Sequence, residues 1–351
     1  MAGDAFVRPG HPADLRVVHE RSTGYDGQFV YRLALDPFTR SITDDGITLD
    51  NAPYRQQRVG LPFAAWAVRG ATGLPLPVVL LLVNAAALVA ATAAGAVLAR
   101  RAGRNALWGL LAGLSPGLVV AVTRDLTEPL AAALLLAGLV AWTGRRPAVA
   151  AAAFTAAVLT RETALAMLAG LGLHELFRLA RGSDRAAAAR RALLLLVPLA
   201  VDAAWQAHLR AVWGELPLHA TDGDVGLPLA RTVTGLLAHD ASWRDWTSTP
   251  ALLAHAAVGE RLLLAALLAA TAVALARSAG DPRLRWAWVP AALLATSAAW
   301  ATDVGFLRAA NEAVLAGTLV LFGLRTRLGS AALTATAGLS LYVAAVYGAA
   351  L

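Results

Sequence analysis

The sequence predicts an all-α, polytopic membrane protein of about ten transmembrane helices with an N-terminal extracytoplasmic helical cap. Three observations carry this. The 351 residues are 58% hydrophobic and only 15% charged, whereas soluble domains run at about 45–50% apolar and about 25% charged. The mean hydropathy is +0.59. Finally, the apolar residues fall into runs separated by short, arginine-rich connections.

Residues 1–70 are more polar than the rest and are expected to fold as the cap. Within it Asp26–Leu35 has the look of a short helix ended by Pro37. Pro53–Arg69 has proline in its first turn, arginines at 55 and 58 and an apolar Leu61–Val68 stretch, the pattern of a helix lying at the membrane interface. From residue 71 to 351 the apolar runs are Leu74–Leu98, Ala106–Val122, Leu126–Trp142, Pro147–Thr160, Ala164–Ala180, Ala192–Val212, Ala251–Ala276, Trp286–Thr302, Ala309–Leu324 and Ser330–Leu351. A full crossing takes about 20 helical residues. Runs as short as Pro147–Thr160 are therefore expected to be re-entrant or to continue into a neighbour. An outer loop over 214–250 interrupts the series.

All 30 basic residues are arginines, and against 23 acids they give a net charge of +7. In a soluble chain that balance points to nucleic acid; here the arginines lie between the runs and set orientation instead. One set of alternate connections holds fifteen, at Arg100, Arg101, Arg104, Arg145, Arg146, Arg178, Arg181, Arg185, Arg190, Arg191, Arg277, Arg283, Arg285, Arg325 and Arg327. The opposite short connections hold three, at Arg124, Arg161 and Arg308. The arginine-rich side is therefore cytoplasmic, and the cap, the 214–250 loop and the short turns face outward. An outward cap has no signal sequence or span before it here, so an additional upstream helix is expected.

Cysteine is absent, which excludes disulfides, thiolate metal sites, iron–sulfur clusters and cysteine nucleophiles. No Walker A, GxGxxG, HExxH or GxSxG motif is present, so nucleotide hydrolysis, dinucleotide redox, zinc proteolysis and serine hydrolysis lack support. No cofactor is implied, and no residue pattern supports a metal.

Ionisable groups near a membrane are functional candidates by default, and they collect on the outward side. They are Tyr25, Asp26, Gln28, Asp36, Arg55 and Arg58 in the cap, Arg124, Asp125 and Glu128, then Arg161 and Glu162, and finally Asp303, Arg308, Asn311 and Glu312. A carboxylate such as Asp26 in a partly dehydrated cleft can have a raised pKa and take a proton from an attacking hydroxyl. Arginines can hold a phosphate by forked hydrogen bonds. Plainer roles stand beside these. Asp26 also fits a helix N-cap or turn, as do Asp125 and Glu128. Arg161 and Glu162 fit interhelical ion pairs, and Arg308 with Glu312 fits an i, i+4 pair. Asp202 and His208 fit an interhelical hydrogen-bond pair. Trp205, Trp213, Trp243, Trp246, Trp286, Trp288 and Trp300 fit an interfacial aromatic belt.

The order Tyr25-Asp26-Gly27-Gln28-Phe29, Asn51-Ala52-Pro53-Tyr54-Arg55-Gln56-Gln57-Arg58, Asp125-Leu126-Thr127-Glu128-Pro129, Leu159-Thr160-Arg161-Glu162-Thr163 resembles bacterial members of the GT-C superfamily of polytopic, mannosyltransferase-like glycosyltransferases. The resemblance implies a polyprenyl-phosphate-linked sugar donor, an outward-facing active site in the cytoplasmic membrane and inversion at the anomeric carbon. It implies Asp26 as catalytic base, with Asp36 the second choice. It also implies substrate contacts from Tyr25, Gln28, Asp36, Arg58, Arg124, Asp125, Glu128, Arg161, Glu162 and Arg308, with Arg124, Arg161 and Arg308 toward the donor phosphate and Asp125, Glu128 and Glu162 toward sugar hydroxyls or orienting those arginines. The superfamily's first transmembrane helix is missing ahead of Tyr25, and no large soluble C-terminal domain follows, which favours single-sugar transfer to a lipid or glycan acceptor. The expected partners are that donor, that acceptor and membrane lipids, with no nucleic acid. The rival expectations are a lipid-linked-sugar flippase and a non-catalytic subunit of an envelope-assembly complex.

Overall fold

The computed structural model describes residues 2–18, 22–182, 184–217, 227, 230, 233–234, 244–297 and 306–350. Its cap contains α1 (Gly27–Leu35), α2 (Ala52–Gln56) and α3 (Gly60–Thr72). The bundle contains α4 (Leu76–Arg101), α5 (Leu110–Gly113), α6 (Pro116–Thr123), α7 (Glu128–Thr143), α8 (Pro147–Thr160), α9 (Ala164–Ala180), α10 (Arg185–Trp213), α11 (Thr249–Ala276), α12 (Pro282–Ser297), α13 (Asn311–Gly323) and α14 (Arg327–Ala350). Each apolar run of the sequence falls on helix, the described part of Trp286–Thr302 included.

Proline sets several starts, at Pro53, Pro116, Pro129, Pro147 and Pro250, where its missing N–H has no intrahelical partner to lose. Gly73 and Gly214 close α3 and α10 in the left-handed conformation. Pro116 also divides Ala106–Val122, so that run is two segments bent by 50°.

Among the described residues four helices, α4, α10, α11 and α14, are long and apolar enough to cross a membrane, or five spans if the bent segments count as one. That is fewer than the about ten expected from hydropathy. The helices α7, α8 and α13 are apolar but only 16, 14 and 13 residues long, about 20–24 Å at the α-helical rise. The outward faces of α4 and α10 expose Leu81, Leu82, Val89, Leu193 and Leu196. Water disfavours such a surface and lipid accepts it, so the chain is built as a membrane protein.

The neighbour order runs α4, α7, α8, α10, α9, α12, α13, α11, α14. From Asn311 to Phe322 every residue of α13 is buried, as befits a helix apolar all round and enclosed by others. The main core joins Leu136, Leu139, Trp142, Phe154, Leu315 and Leu319. A second apolar cluster joins Tyr31, Ala34, Leu61 and Ala65 of the cap to Leu76, Val79 and Leu80 of α4, so α1 and α3 sit on the bundle through a shared core.

Two features of the cap also depart from expectation. The cap is not wholly helical: Ala2–Gly3 pairs in parallel with Val17–Val18, and Thr43–Asp44 pairs antiparallel with Ile47–Thr48. The hairpin turns on Asp45 and Gly46, both at positive φ, the Asp-Gly combination that suits such turns. Buried Arg32 of α1 holds it through Asp44 at 3.3 Å and Thr39 at 3.1 Å. The single helix expected over Pro53–Arg69 is two, because Pro62 has no N–H for the carbonyl of Arg58 and the chain re-starts at Gly60.

Candidate functional site

Two close approaches assemble the site. A Cβ on Gly27 would lie 2.0 Å from the carbonyl oxygen of Arg124, and one on Gly60 would lie 2.1 Å from Oγ1 of Thr160. Glycine alone fits at both, so the start of α1 presses on the α6–α7 turn and the start of α3 presses on the end of α8. That turn is itself tight, with Asp125 at φ 54°, a conformation Asp tolerates better than most residues.

Asp26 stands at the N-terminus of α1, but its side chain caps nothing. One oxygen meets Arg55 at 3.1 Å and the other Arg308 at 3.3 Å. Arg308 also approaches Glu128 at 3.7 Å, and Glu128 is gripped by Arg161 at 2.6 Å. Arg161 reaches Glu312 at 3.6 Å and donates to Oγ1 of Thr163 at 2.9 Å, while Thr163 donates to Glu312 at 2.7 Å. Arg58 makes a forked pair with Glu162, at 2.9 and 2.6 Å, and donates to the Tyr54 hydroxyl. Arg55 forks onto Asp50 at 2.8 and 2.7 Å. The Tyr25 ring lies against the Arg124 guanidinium at 4.5 Å and that of Arg308 at 5.4 Å.

Among the sequence candidates, Tyr25, Asp26, Arg58, Arg124, Asp125, Glu128, Arg161, Glu162 and Arg308 thus come to one end of the bundle. Gln28 does not join them. Its buried carboxamide accepts from the Gly3 N–H at 3.0 Å and donates to the Thr23 carbonyl at 2.7 Å, tying the chain's first strand to α1. Asp36 is exposed at the far end of α1 and accepts from the Phe38 N–H. Asp303, Trp243 and Trp300 lie outside the described residues. The i, i+4 pairing of Arg308 with Glu312 gives way to long-range partners on both sides. Arg161 and Glu162 do pair across elements.

Asp202 and His208 are not a pair. Both sit on α10, six residues and so roughly 120° apart, and exposed His208 stacks on Trp205 at 5.2 Å. Two of the tryptophans dock the cap: Trp213 donates to Gln56 at 2.7 Å and Trp205 to the Gln57 carbonyl at 3.2 Å. Sequence reasoning gave no role to Asp50 or Tyr54, although the Asn51 N-cap, accepting from the Tyr54 N–H at 3.1 Å, fixes where Arg55 and Arg58 emerge. It also passed over Glu260 and Arg261, both fully buried within α11 and visible as a charged pair inside an apolar run.

A small cavity lies among Asp26, Arg55, Arg58, Glu128 and Arg308, with about 20 Å³ of room, the space of one water. Glu128 keeps one buried oxygen without a hydrogen-bond partner. Next to it opens an apolar groove of about 730 Å³ between Phe38, Phe63, Leu134, Leu159 and Trp205, and Gly60 and Thr160 are among its walls. Gly60 is two residues from Arg58 and Thr160 is next to Arg161.

Electrostatics overturn one expectation. Burial alone would raise the pKa of Asp26, but Arg55 and Arg308 outweigh it and hold the carboxyl below the usual carboxylate range. Burial likewise opposes ionisation of Glu162, and the adjoining Arg58 prevails, bringing it down to about 2. Burial raises Asp125 and the Tyr25 hydroxyl. Because the folded pKa of Glu162 lies below its unfolded value of about 4.3, the ionised side chain stabilises the fold above that pH. The contribution is lost as pH falls toward about 2. Thermal unfolding in detergent between about pH 5 and about pH 3 is expected to destabilise the wild type more than Glu162→Gln; parallel curves for the two proteins would contradict the pairing.

Among the described residues no group of three or more His, Asp or Glu side chains is arranged to hold a metal ion. No family model, no curated protein and no solved structure matches this chain.

Proposed function

We propose that this chain is an integral membrane glycosyltransferase that moves a single sugar from a polyprenyl-phosphate donor to a lipid or glycan acceptor. The observation that carries the reading is the apolar groove running up to a partly buried cluster of arginines and carboxylates. A polyprenyl tail is a long apolar chain ending in a phosphate, and groove and cluster have that same polarity profile. The tail lies between α3, α7, α8 and α10, and its phosphate meets Arg58 first. Arg55 and Arg308 stand across the small cavity that all three arginines line.

The phosphate then competes with Asp26 for Arg55 and Arg308. As those counter-charges turn to the donor, the partly buried Asp26 carboxylate becomes more basic. The acceptor hydroxyl oxygen attacks the anomeric carbon and its proton passes to Asp26. The bond from that carbon to the phosphate oxygen breaks with its electron pair, which the arginines stabilise. Attack opposite the leaving phosphate inverts the centre. The active site faces outward from the cytoplasmic membrane, with the arginine-rich end of the bundle inside. About ten crossings fit this placement: α7, α8 and α13 are short because the cluster occupies the rest of their depth.

Buried Glu260 and Arg261, about 17 Å into α11 at the helical rise, favour a second reading, a flippase for the same lipid-linked sugar, since charge along the membrane path is what translocation needs. The two separate in one experiment. Purified protein in nanodiscs, given radiolabelled polyprenyl-phosphate sugars and envelope lipid acceptors, is expected to form labelled product. In sealed vesicles, donor crossing without product would establish the flippase and overturn the transferase.

A further inference from the structure

A second polar pocket, of about 850 Å³, lies at the opposite end of the bundle, about 24 Å from the cluster along α7. Its lining comes from four places in the chain. Arg145 follows α7, His174 and Arg178 end α9, Asp184 and Arg191 begin α10, and Asp281 and Arg283 begin α12. The carboxylates are committed. Asp281 pairs with Arg283, Asp184 accepts from the N–H of Ala187 at the start of α10, and Glu175, fully buried, holds Arg178 at 2.9 Å and Arg191 at 3.6 Å. Four arginines against three carboxylates leave a positive balance, and Arg146, Arg181, Arg185 and Arg190, next to or near the lining residues in sequence, are exposed. Arg145 has no carboxylate within ion-pairing distance among the described residues. His174, its side chain 11% exposed, turns its Nδ1 toward Glu175 at 3.6 Å.

Orientation in the membrane explains arginines at this end, but not why four converge on one cavity whose carboxylates are already committed. The outer surface beside the pocket is apolar. Leu173, Leu176 and Phe177 of α9 and Leu193 and Leu196 of α10 are exposed. Trp286 packs on Phe177 at 5.5 Å and on His174 at 6.5 Å, the placement of an aromatic at headgroup level. A free anion gains nothing from those leucines, whereas acyl chains would cover them.

We propose that this pocket binds the headgroup phosphate of an anionic membrane phospholipid. The phosphate oxygens accept charge-assisted hydrogen bonds from Arg145, Arg178 and Arg191. Glu175 holds the latter two guanidiniums in place, and the acyl chains lie along Leu173, Leu176 and Leu193. This site is independent of the transferase reading, since it shares no residue with the cluster or the groove.

The test uses the delipidated full chain in detergent, titrated separately with dioctanoyl phosphatidylglycerol, dioctanoyl phosphatidylcholine and inorganic phosphate, and read by thermal unfolding and tryptophan fluorescence. Saturable binding of the phosphatidylglycerol alone is expected. Arg145→Asn and Arg191→Gln are each expected to weaken it roughly tenfold, the loss of one charged hydrogen bond. Arg145→Asn removes an exposed side chain with no carboxylate partner among the described residues, and Asn accepts the left-handed backbone found at this position, so it reports binding without unfolding the protein. Inorganic phosphate binding as tightly as the lipid would overturn the lipid assignment in favour of a free-anion pocket. Equal binding of phosphatidylcholine, or binding unchanged in both variants, would overturn the site.

Discussion

Asp26→Asn is expected to lower the rate of sugar transfer by about 10²–10⁴-fold, the contribution of a positioned general base, while the protein stays folded. The ion-pair geometry explains why folding survives. Arg55 retains its forked pair with Asp50, and Arg308 retains Glu128 at 3.7 Å, so neither guanidinium is left without a carboxylate. The same geometry predicts a second effect with the opposite sign. If the donor phosphate must displace Asp26 from both arginines, removing that carboxylate's charge removes the competitor, and Asp26→Asn should bind the donor several-fold more tightly while turning it over far more slowly. A KM that falls together with kcat is thus the signature of a base that also guards the phosphate site. A variant with wild-type kcat would remove Asp26 from the chemistry, and one with reduced kcat but weaker donor binding would make it a donor ligand instead. Steady-state kinetics with a polyprenyl-phosphate sugar, with circular dichroism as the check on folding, decides among these.

The helical elements were legible because hydropathy and proline report local facts. Pro147 and Thr160 bound α8 as the sequence predicts, and so do Ala164 and Ala180 for α9. The Asp45-Gly46 hairpin was equally local and was hidden only by the helical expectation for the cap. The place of each helix in the bundle was not legible, since α13 and α4 are comparably apolar and only packing shows that α13 is buried on every side. The site was half legible. The candidate residues could be placed on one face from topology, yet their partners were not predictable. Arg308 is four residues from Glu312, but joins Asp26, 282 residues away. Gln28 sits in the same short motif as Asp26 and serves the fold instead, because a helix turns neighbouring residues in different directions. Long-range pairing depends on where Gly27 and Gly60 let elements touch, and a glycine in a sequence does not announce what lies against it.

The largest effect on stability is expected at Arg161. Its side chain is 4% exposed and stands between Glu128 at 1% and Glu312 at 5%. In Arg161→Ala, Glu312 keeps the Thr163 hydroxyl and a backbone N–H, and Glu128 the more distant Arg308, so two carboxylates lose their principal counter-charge in a dehydrated site. Removing one partner of a buried pair costs about 3–5 kcal/mol, far more than the about 0–1 kcal/mol of an exposed pair. Thermal and denaturant unfolding in detergent should show a loss of that order. A change under about 0.5 kcal/mol, that of an ordinary surface substitution, would show that the cluster is solvated. Because truncation leaves buried charge rather than merely deleting a bond, Arg161→Met combined with Glu128→Gln and Glu312→Gln should recover much of the loss, which a mutant cycle measures as coupling. The recovered protein then separates structure from chemistry. Transfer that returns with stability shows that the charges of Arg161, Glu128 and Glu312 serve the fold alone. Transfer that stays absent in a stable protein places at least one of those three charges in the substrate site, where the sequence resemblance puts Arg161 and Glu128.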